Sequence, residues 1–120
     1  MVKHPIVHVE FAASDPAAAA RFYGDIFGWE LIQDEALDYF MFRSQEDLGG
    51  GFNKLDETTK PGDVTVYIET DDIDATLAHI EECGGTTAVP KMEIPNTGWM
   101  ALFMDPTGNR VGLYTPMRRE

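Results

Sequence analysis

A histidine and a glutamate stand two residues apart in a segment that otherwise resembles a β-strand, PIVHVEF at residues 5–11. Side chains alternate across a strand, so His8 and Glu10 share one face while Val9 and Phe11 share the other. An imidazole beside a carboxylate can bind a metal ion or transfer a proton. His8 and Glu10 are therefore the candidate catalytic residues, and the alternative is a polar wall of a binding pocket.

The composition limits the classes of function that these residues can serve. The chain has 120 residues, of which 43% are hydrophobic, which is enough for one domain with its own core. Nine basic and 21 acidic residues give a net charge of −12, which disfavours binding to nucleic acid or to an anionic membrane. With one cysteine, Cys83, and neither a signal peptide nor a membrane-spanning run, we expect a cytoplasmic protein.

The chain repeats one pattern with a shift of 57 residues. Residues 7–28 align without gaps on residues 64–85, and Asp15 falls on Asp72. Aspartate is a good helix N-cap because its carboxylate accepts from backbone N–H groups of the first turn. A glycine ends each apolar helical stripe, as the left-handed position after a helix requires. Each half therefore predicts a strand, a capped helix and a glycine stop.

Three short strand-like runs follow each predicted helix. They are residues 29–32, 39–43 and 50–54 in the first half, and 86–89, 99–104 and 110–114 in the second. The fold class is thus α+β, with two tandem βαβββ modules of about 5–54 and 63–115. Neither half buries much alone, so we expect them to form one domain over residues 1–120.

The DPTGN sequence at residues 105–109 predicts the turn of a hairpin. Centring that turn between Pro106 and Thr107 places Gly112 opposite Ala101. One face of the sheets then mixes aromatic rings with polar groups, which is typical of a concave ligand site. The predicted ligand-binding residues are His8, Glu10, Phe52, Thr65, Tyr67, Trp99, Phe103, Arg110 and Tyr114.

Three stretches carry a family resemblance. HVEFAASDPAAAARFYGDIFGWEL (8–31), TDDIDATLAHIEECGG (70–85) and DPTGNRVGLY (105–114) resemble the vicinal-oxygen-chelate superfamily of glyoxalases, bleomycin-resistance proteins and extradiol dioxygenases. The resemblance implies that each module curls into a half-barrel sheet and that the two enclose a cavity. It also implies, in metal-dependent members, a divalent cation that neighbouring substrate oxygens chelate.

The same resemblance implies metal ligands on the first and last strand of each module. The first point falls on His8, and its equivalent in the second module falls on Thr65. The last-strand points fall on Gly112 and near Gly51, which have no side chain to donate. Transition-metal sites need about three protein ligands, so we expect no divalent metal cofactor.

Three functions remain open from the sequence. The first is metal-independent binding of a small aromatic or cationic molecule in a cavity between the β-sheets. The second is a lyase, isomerase or dioxygenase-type enzyme that uses His8 and Glu10 in a non-standard or inter-subunit site. The third is an interaction domain with a filled cavity. For partners we expect a small-molecule ligand and a second copy of the chain, because many members of the superfamily are homodimers.

Overall fold

The computed structural model describes residues 4–35, 39–46, 48–57 and 59–117. The chain divides into two compact units, a first unit of Val7–Thr65 and a second unit of Val66–Glu120 together with Met1–Ile6. The described residues hold eight strands and two helices, which confirms the predicted α+β class. That the two units make one domain with a cavity between half-barrels stays a prediction.

The first unit runs as strand, helix and three strands. The elements are β1 (Ile6–Ala13), α1 (Pro16–Phe27), β2 (Glu30–Asp34), β3 (Tyr39–Gln45) and β4 (Leu48–Lys54). Its sheet has the order β2-β3-β4-β1, with β1 and β4 parallel and the other pairs antiparallel.

Helix α1 begins and ends where the sequence predicts. The Asp15 carboxylate accepts a hydrogen bond from the Ala18 backbone N–H at 3.1 Å, and Pro16 occupies the first turn. Gly28 ends the helix in the left-handed conformation at φ 72°. The residues that the pattern singled out thus cap the N-terminus of α1 and end the helix at Gly28.

An aromatic cluster between α1 and the sheet forms the core of the first unit. Trp29 stacks on Phe42 with ring centroids 4.5 Å apart, and Tyr23 stacks on Trp29 at 5.2 Å. Phe52 is 2% exposed and packs in the same cluster. The Phe52 side chain lies on the helix side of β4 among these rings and not on the face of His8 and Glu10, and a role for it in ligand stacking stays a prediction.

The apolar stripe predicted for α1 is only partly buried. Tyr23 lies against the core, whereas Phe22, Ile26 and Phe27 are each more than half exposed in the described structure. The helix therefore uses a narrow part of its apolar surface for the core of its own unit.

The second unit repeats the same order of elements. The elements are β5 (Val64–Glu69), α2 (Ile73–Glu82), β6 (Thr86–Ile94), β7 (Gly98–Met104) and β8 (Arg110–Pro116). Its sheet has the order β5-β8-β7-β6, with β5 and β8 parallel. The core residues are Ile73, Leu77, Ala101, Phe103 and Leu113.

The hairpin of β7 and β8 differs from the prediction by one residue. Ala101 pairs with Leu113, and Gly112 pairs with Leu102. The Asp105 carboxylate accepts from the backbone N–H groups of Thr107 and Asn109, both at 2.9 Å, which lengthens the turn. Because strand faces alternate, this single shift exchanges the two faces of β7.

The shift corrects the placement of two predicted ligand-binding residues. Phe103 is buried in the core of the second unit, and Trp99 packs against that core from the helix side. The Nζ of Lys91 also lies 5.5 Å from the Trp99 ring centroid. Trp99 and Phe103 are therefore not on the polar face, while Arg110 and Tyr114 on β8 are.

The buried position of Phe103 predicts a large loss of stability in Phe103→Ala. We expect the free energy of unfolding to fall by about 3–5 kcal/mol, since the change leaves a cavity between β7 and α2. Phe22→Ala, at a ring 56% exposed, is the matched control and should cost less than about 1 kcal/mol. Urea denaturation measures both, and equal small losses would contradict the register.

The Asp105 turn predicts a pH-dependent contribution to stability. Hydrogen bonds from Asn109 and then Thr107 lower the pKa of Asp105 from 3.8 to about 2. A lowered folded-state pKa stabilises the fold above the unfolded value and loses that contribution as the pH falls from about 4 to about 2. The Tm of Asp105→Ala should therefore lie below that of the wild type at pH 6, and the difference in Tm should become smaller as the pH falls through that window. A gap that is constant with pH would contradict the role of the carboxylate.

Candidate functional site

The polar face of the first unit brings three functional side chains together. His8 and Glu10 lie on β1, on the side opposite Val9 and Phe11, which pack on the core. Glu10 pairs with Gly51 of β4 in the sheet register. Tyr39, the first residue of β3, reaches across β4 to the same place. We call His8, Glu10 and Tyr39 the polar cluster.

One carboxylate oxygen is the centre of the polar cluster. Glu10 Oε2 accepts a hydrogen bond from the Tyr39 hydroxyl and contacts His8 Nε2. His8 Nε2 also lies 3.2 Å from the Tyr39 hydroxyl. The Glu10 side chain is 8% exposed and that of His8 is 30% exposed, so the cluster links a buried carboxylate to a partly accessible imidazole. The structure thus brings the predicted pair into direct contact.

The second carboxylate oxygen of Glu10 is buried and has no hydrogen-bond donor among the described residues. A buried acceptor without a partner costs about 1–3 kcal/mol, and native structures contain few of them. Oε1 is therefore the acceptor of the polar cluster that still lacks a hydrogen-bond donor among the described residues.

Two glycines occupy the last-strand points at which the family resemblance implied metal ligands. A Cβ built on Gly51 would overlap the Tyr39 hydroxyl, and one on Gly112 would overlap the Tyr67 ring. Tyrosine atoms thus fill the space that a ligating side chain would need. No group of three or more His, Cys, Asp or Glu side chains within the described ranges could hold a metal ion. The residues present do not fit the four-ligand centre.

The remaining predicted residues lie on β5 and β8. Tyr67 pairs with Gly112, and Glu69 pairs with Tyr114, so they share a face of the second unit. Burial and then the nearby Glu69 charge raise the pKa of Tyr114, whose hydroxyl donates to the Thr97 carbonyl at 3.2 Å. Thr65 is buried on β5, and Arg110 pairs with Met104 across the hairpin.

Tyr39 is the site residue that the sequence did not identify. The sequence feature that could have indicated it is the glycine run on β4, because a glycine within a strand leaves room for a neighbouring side chain to lie over the sheet. Alternation alone could not assign the face of β3, since the pairing of β3 with β4 is a long-range contact.

Two cavities lie beside the helices, one in each unit, with volumes of about 620 and 570 Å³. The 57-residue repeat relates their walls, and neither cavity is lined by a residue of the polar cluster. Equivalent lining residues are Phe11 and Ile68, Ala13 and Thr70, Asp15 and Asp72, and Tyr23 and Ile80.

The strand–helix–three-strand order of each unit defines a class of small α+β proteins, and comparison with known proteins identifies the family. The sequence profile of the Glyoxalase/Bleomycin resistance protein/Dioxygenase superfamily matches residues 5–113. The chain belongs to this superfamily, as the resemblance predicted. No helix in the described part of the chain is long and apolar enough to cross a membrane.

Similar proteins fall within the same family. The anthracycline biosynthesis protein DnrV of Streptomyces peucetius is 31% identical over 116 residues, covering 82% of this chain and 42% of DnrV. CFP32 of Mycobacterium tuberculosis, whose name assigns it provisionally as a glyoxylase, is 29% identical over 117 residues, covering 92% and 45%. The chain thus spans less than half the length of these two relatives.

A solved structure shows the same fold at low identity. Methylmalonyl-CoA epimerase from Mycobacterium tuberculosis superposes with a TM-score of 0.74 and 16% identity, covering 94% of this chain and 88% of the epimerase. At that identity the likeness extends to the fold alone.

The overlap at Gly51 predicts that Gly51→Ala destabilises the first unit through Tyr39. We expect a loss of about 1–3 kcal/mol, because the new methyl group displaces the tyrosine from Glu10. In a Tyr39→Ala background the same glycine change should cost at least about 1 kcal/mol less. Denaturation of the four proteins of this double-mutant cycle measures the coupling, and additive costs would contradict the contact.

Proposed function

We propose that the chain is a metal-independent member of its superfamily that binds a small aromatic or cationic molecule at the polar cluster. The observation that supports this most is the occupation of the Gly51 and Gly112 points by Tyr39 and Tyr67. A chelated divalent ion lacks its ligands there, whereas Glu10 and His8 remain available as hydrogen-bonding groups.

The charge and the aromatic content of the polar faces support this ligand class. Glu10 and the net charge of −12 favour a cationic group on the ligand. With Phe52 in the core of the first unit, the Tyr39 ring of the polar cluster supplies the aromatic contact. A relative named for anthracycline biosynthesis is consistent with a small organic ligand.

The second candidate function is a lyase, isomerase or dioxygenase-type enzyme with a non-standard or inter-subunit site, in which His8 and Glu10 carry the proton-transfer steps. The contact of His8 with Glu10 favours it, since a carboxylate that orients an imidazole is a common acid–base arrangement. His8 would accept and donate the proton of the substrate, and Glu10 would orient the imidazole ring of His8. Turnover that is lost in His8→Ala while ligand affinity is kept would favour this candidate over simple binding.

Two further expectations accompany the proposal. A homodimer would cover the exposed Phe22, Ile26 and Phe27 side chains of α1, which favours self-association. The low cysteine content supports a cytoplasmic location. Both stay predictions.

Metal analysis of the purified protein tests the proposal. We expect a metal content well below one ion per chain and no saturable rise in Tm on addition of Zn²⁺, Ni²⁺ or Mn²⁺, because too few ligands converge. A stoichiometric ion that His8→Ala removes would overturn metal independence. His79→Ala, at an exposed imidazole on α2, is the control for non-specific binding of ions to histidine.

A further inference from the structure

The buried Oε1 atom of Glu10 is an acceptor for which the described residues supply no donor. Its sister atom Oε2 is engaged by Tyr39 and His8, so the two oxygens of one carboxylate are in very different states. An ionised carboxylate accepts hydrogen bonds and donates none. The group that completes Oε1 must therefore be a donor.

No cationic side chain of the described first unit donates a hydrogen bond to Glu10 Oε1. Arg43 lies on the same face of the sheet, but its Nη1 is 3.8 Å from Glu30 Oε1 and both side chains are more than half exposed. His8 is already directed at Oε2. A carboxylate that is 8% exposed and has one oxygen without a donor favours a bound cation over a neutral or anionic group.

We propose that the ligand presents a protonated primary or secondary amine to Glu10 Oε1, with Tyr39 as a positioning residue that holds the carboxylate through Oε2. This rests on the proposed function and adds the chemical class of the ligand. An ammonium carries two or three N–H donors and no acceptor, which matches an acceptor without a partner. Oε1 is not exposed, so the amine reaches it only when a side chain of the polar cluster moves, and the side chain of His8 is 30% exposed against 8% for Glu10.

The experiment compares matched fragments that differ only in charge. Benzylamine, benzyl alcohol and benzoate share one ring, and cyclohexylmethylamine, cyclohexylmethanol and cyclohexanecarboxylate form a second set. Protein-detected NMR titrations of the full chain at pH 7, with labelled Glu side chains, report binding and its location. We expect the two amines to bind with shifts of the Glu10 carboxylate signal, and the alcohols and acids to bind at least tenfold more weakly.

Variants then assign the preference to Glu10. Glu10→Gln keeps the size of the side chain and removes its charge, and should weaken amine binding by about 30-fold or more. Glu30→Gln makes the same change of net charge on an exposed side chain of the same unit, and should leave affinity within about twofold. Equal losses in the two variants would mean that net charge alone attracts amines, which would overturn the proposal.

Tyr39→Phe separates positioning from packing. The ring stays over Gly51 while the hydroxyl bond to Glu10 is lost. We expect the preference for amine over alcohol to fall about three- to tenfold, in addition to any fall in Tm from the lost hydrogen bond. A purely structural role would change the Tm and leave the preference as it was, and that result would overturn the positioning role.

The outcomes distinguish this proposal from the proposed function. Alcohols or acids that bind at the polar cluster as well as the amines would overturn the amine class and leave small-molecule binding intact. Amines that bind equally well to Glu10→Gln would also overturn the amine class and leave small-molecule binding intact. Water would then be the group that hydrogen-bonds to Oε1. No binding by any fragment would overturn both proposals.

Discussion

The glycine run of β4 determines how the first unit is assembled on both faces of its sheet. Gly50 leaves room on the helix side for the Phe42 ring, and Gly51 leaves room on the opposite side for Tyr39. Both aromatic residues come from the neighbouring strand β3. A strand with no side chains at these positions therefore leaves space for a core ring on one face and for a site hydroxyl on the other.

The second unit has the same arrangement, in which a tyrosine ring lies over a glycine of the last strand. Gly112 in the second unit lies under Tyr67 as Gly51 lies under Tyr39. In each unit a ring from an adjacent strand thus occupies the space beside a glycine of the last strand. His8 contacts the Glu10 carboxylate, an arrangement suited to hydrogen bonding and proton exchange.

The parts of the fold that local sequence determines were predictable, and those set by long-range pairing were not. Both helix N-caps and the two faces of β1 follow from local signals, and the structure confirms them. The face of Tyr39 depends on how β3 pairs with β4, which alternation does not reveal. Trp99 and Phe103 were predicted on the wrong face of β7, because the hydrogen bonds of Asp105 hold a turn that is one residue longer than the turn that its sequence suggests.

The Asp105 turn also constrains how this family member can diverge. Insertions and deletions are usually tolerated in surface loops, because loops contribute little packing. Here the loss of one residue would rotate β7 relative to β8 and either expose Phe103 or bury Arg110. The number of residues in the turn therefore decides which side chains of the hairpin belong to the core, and Asp105, whose carboxylate holds the turn at this length, is constrained with it.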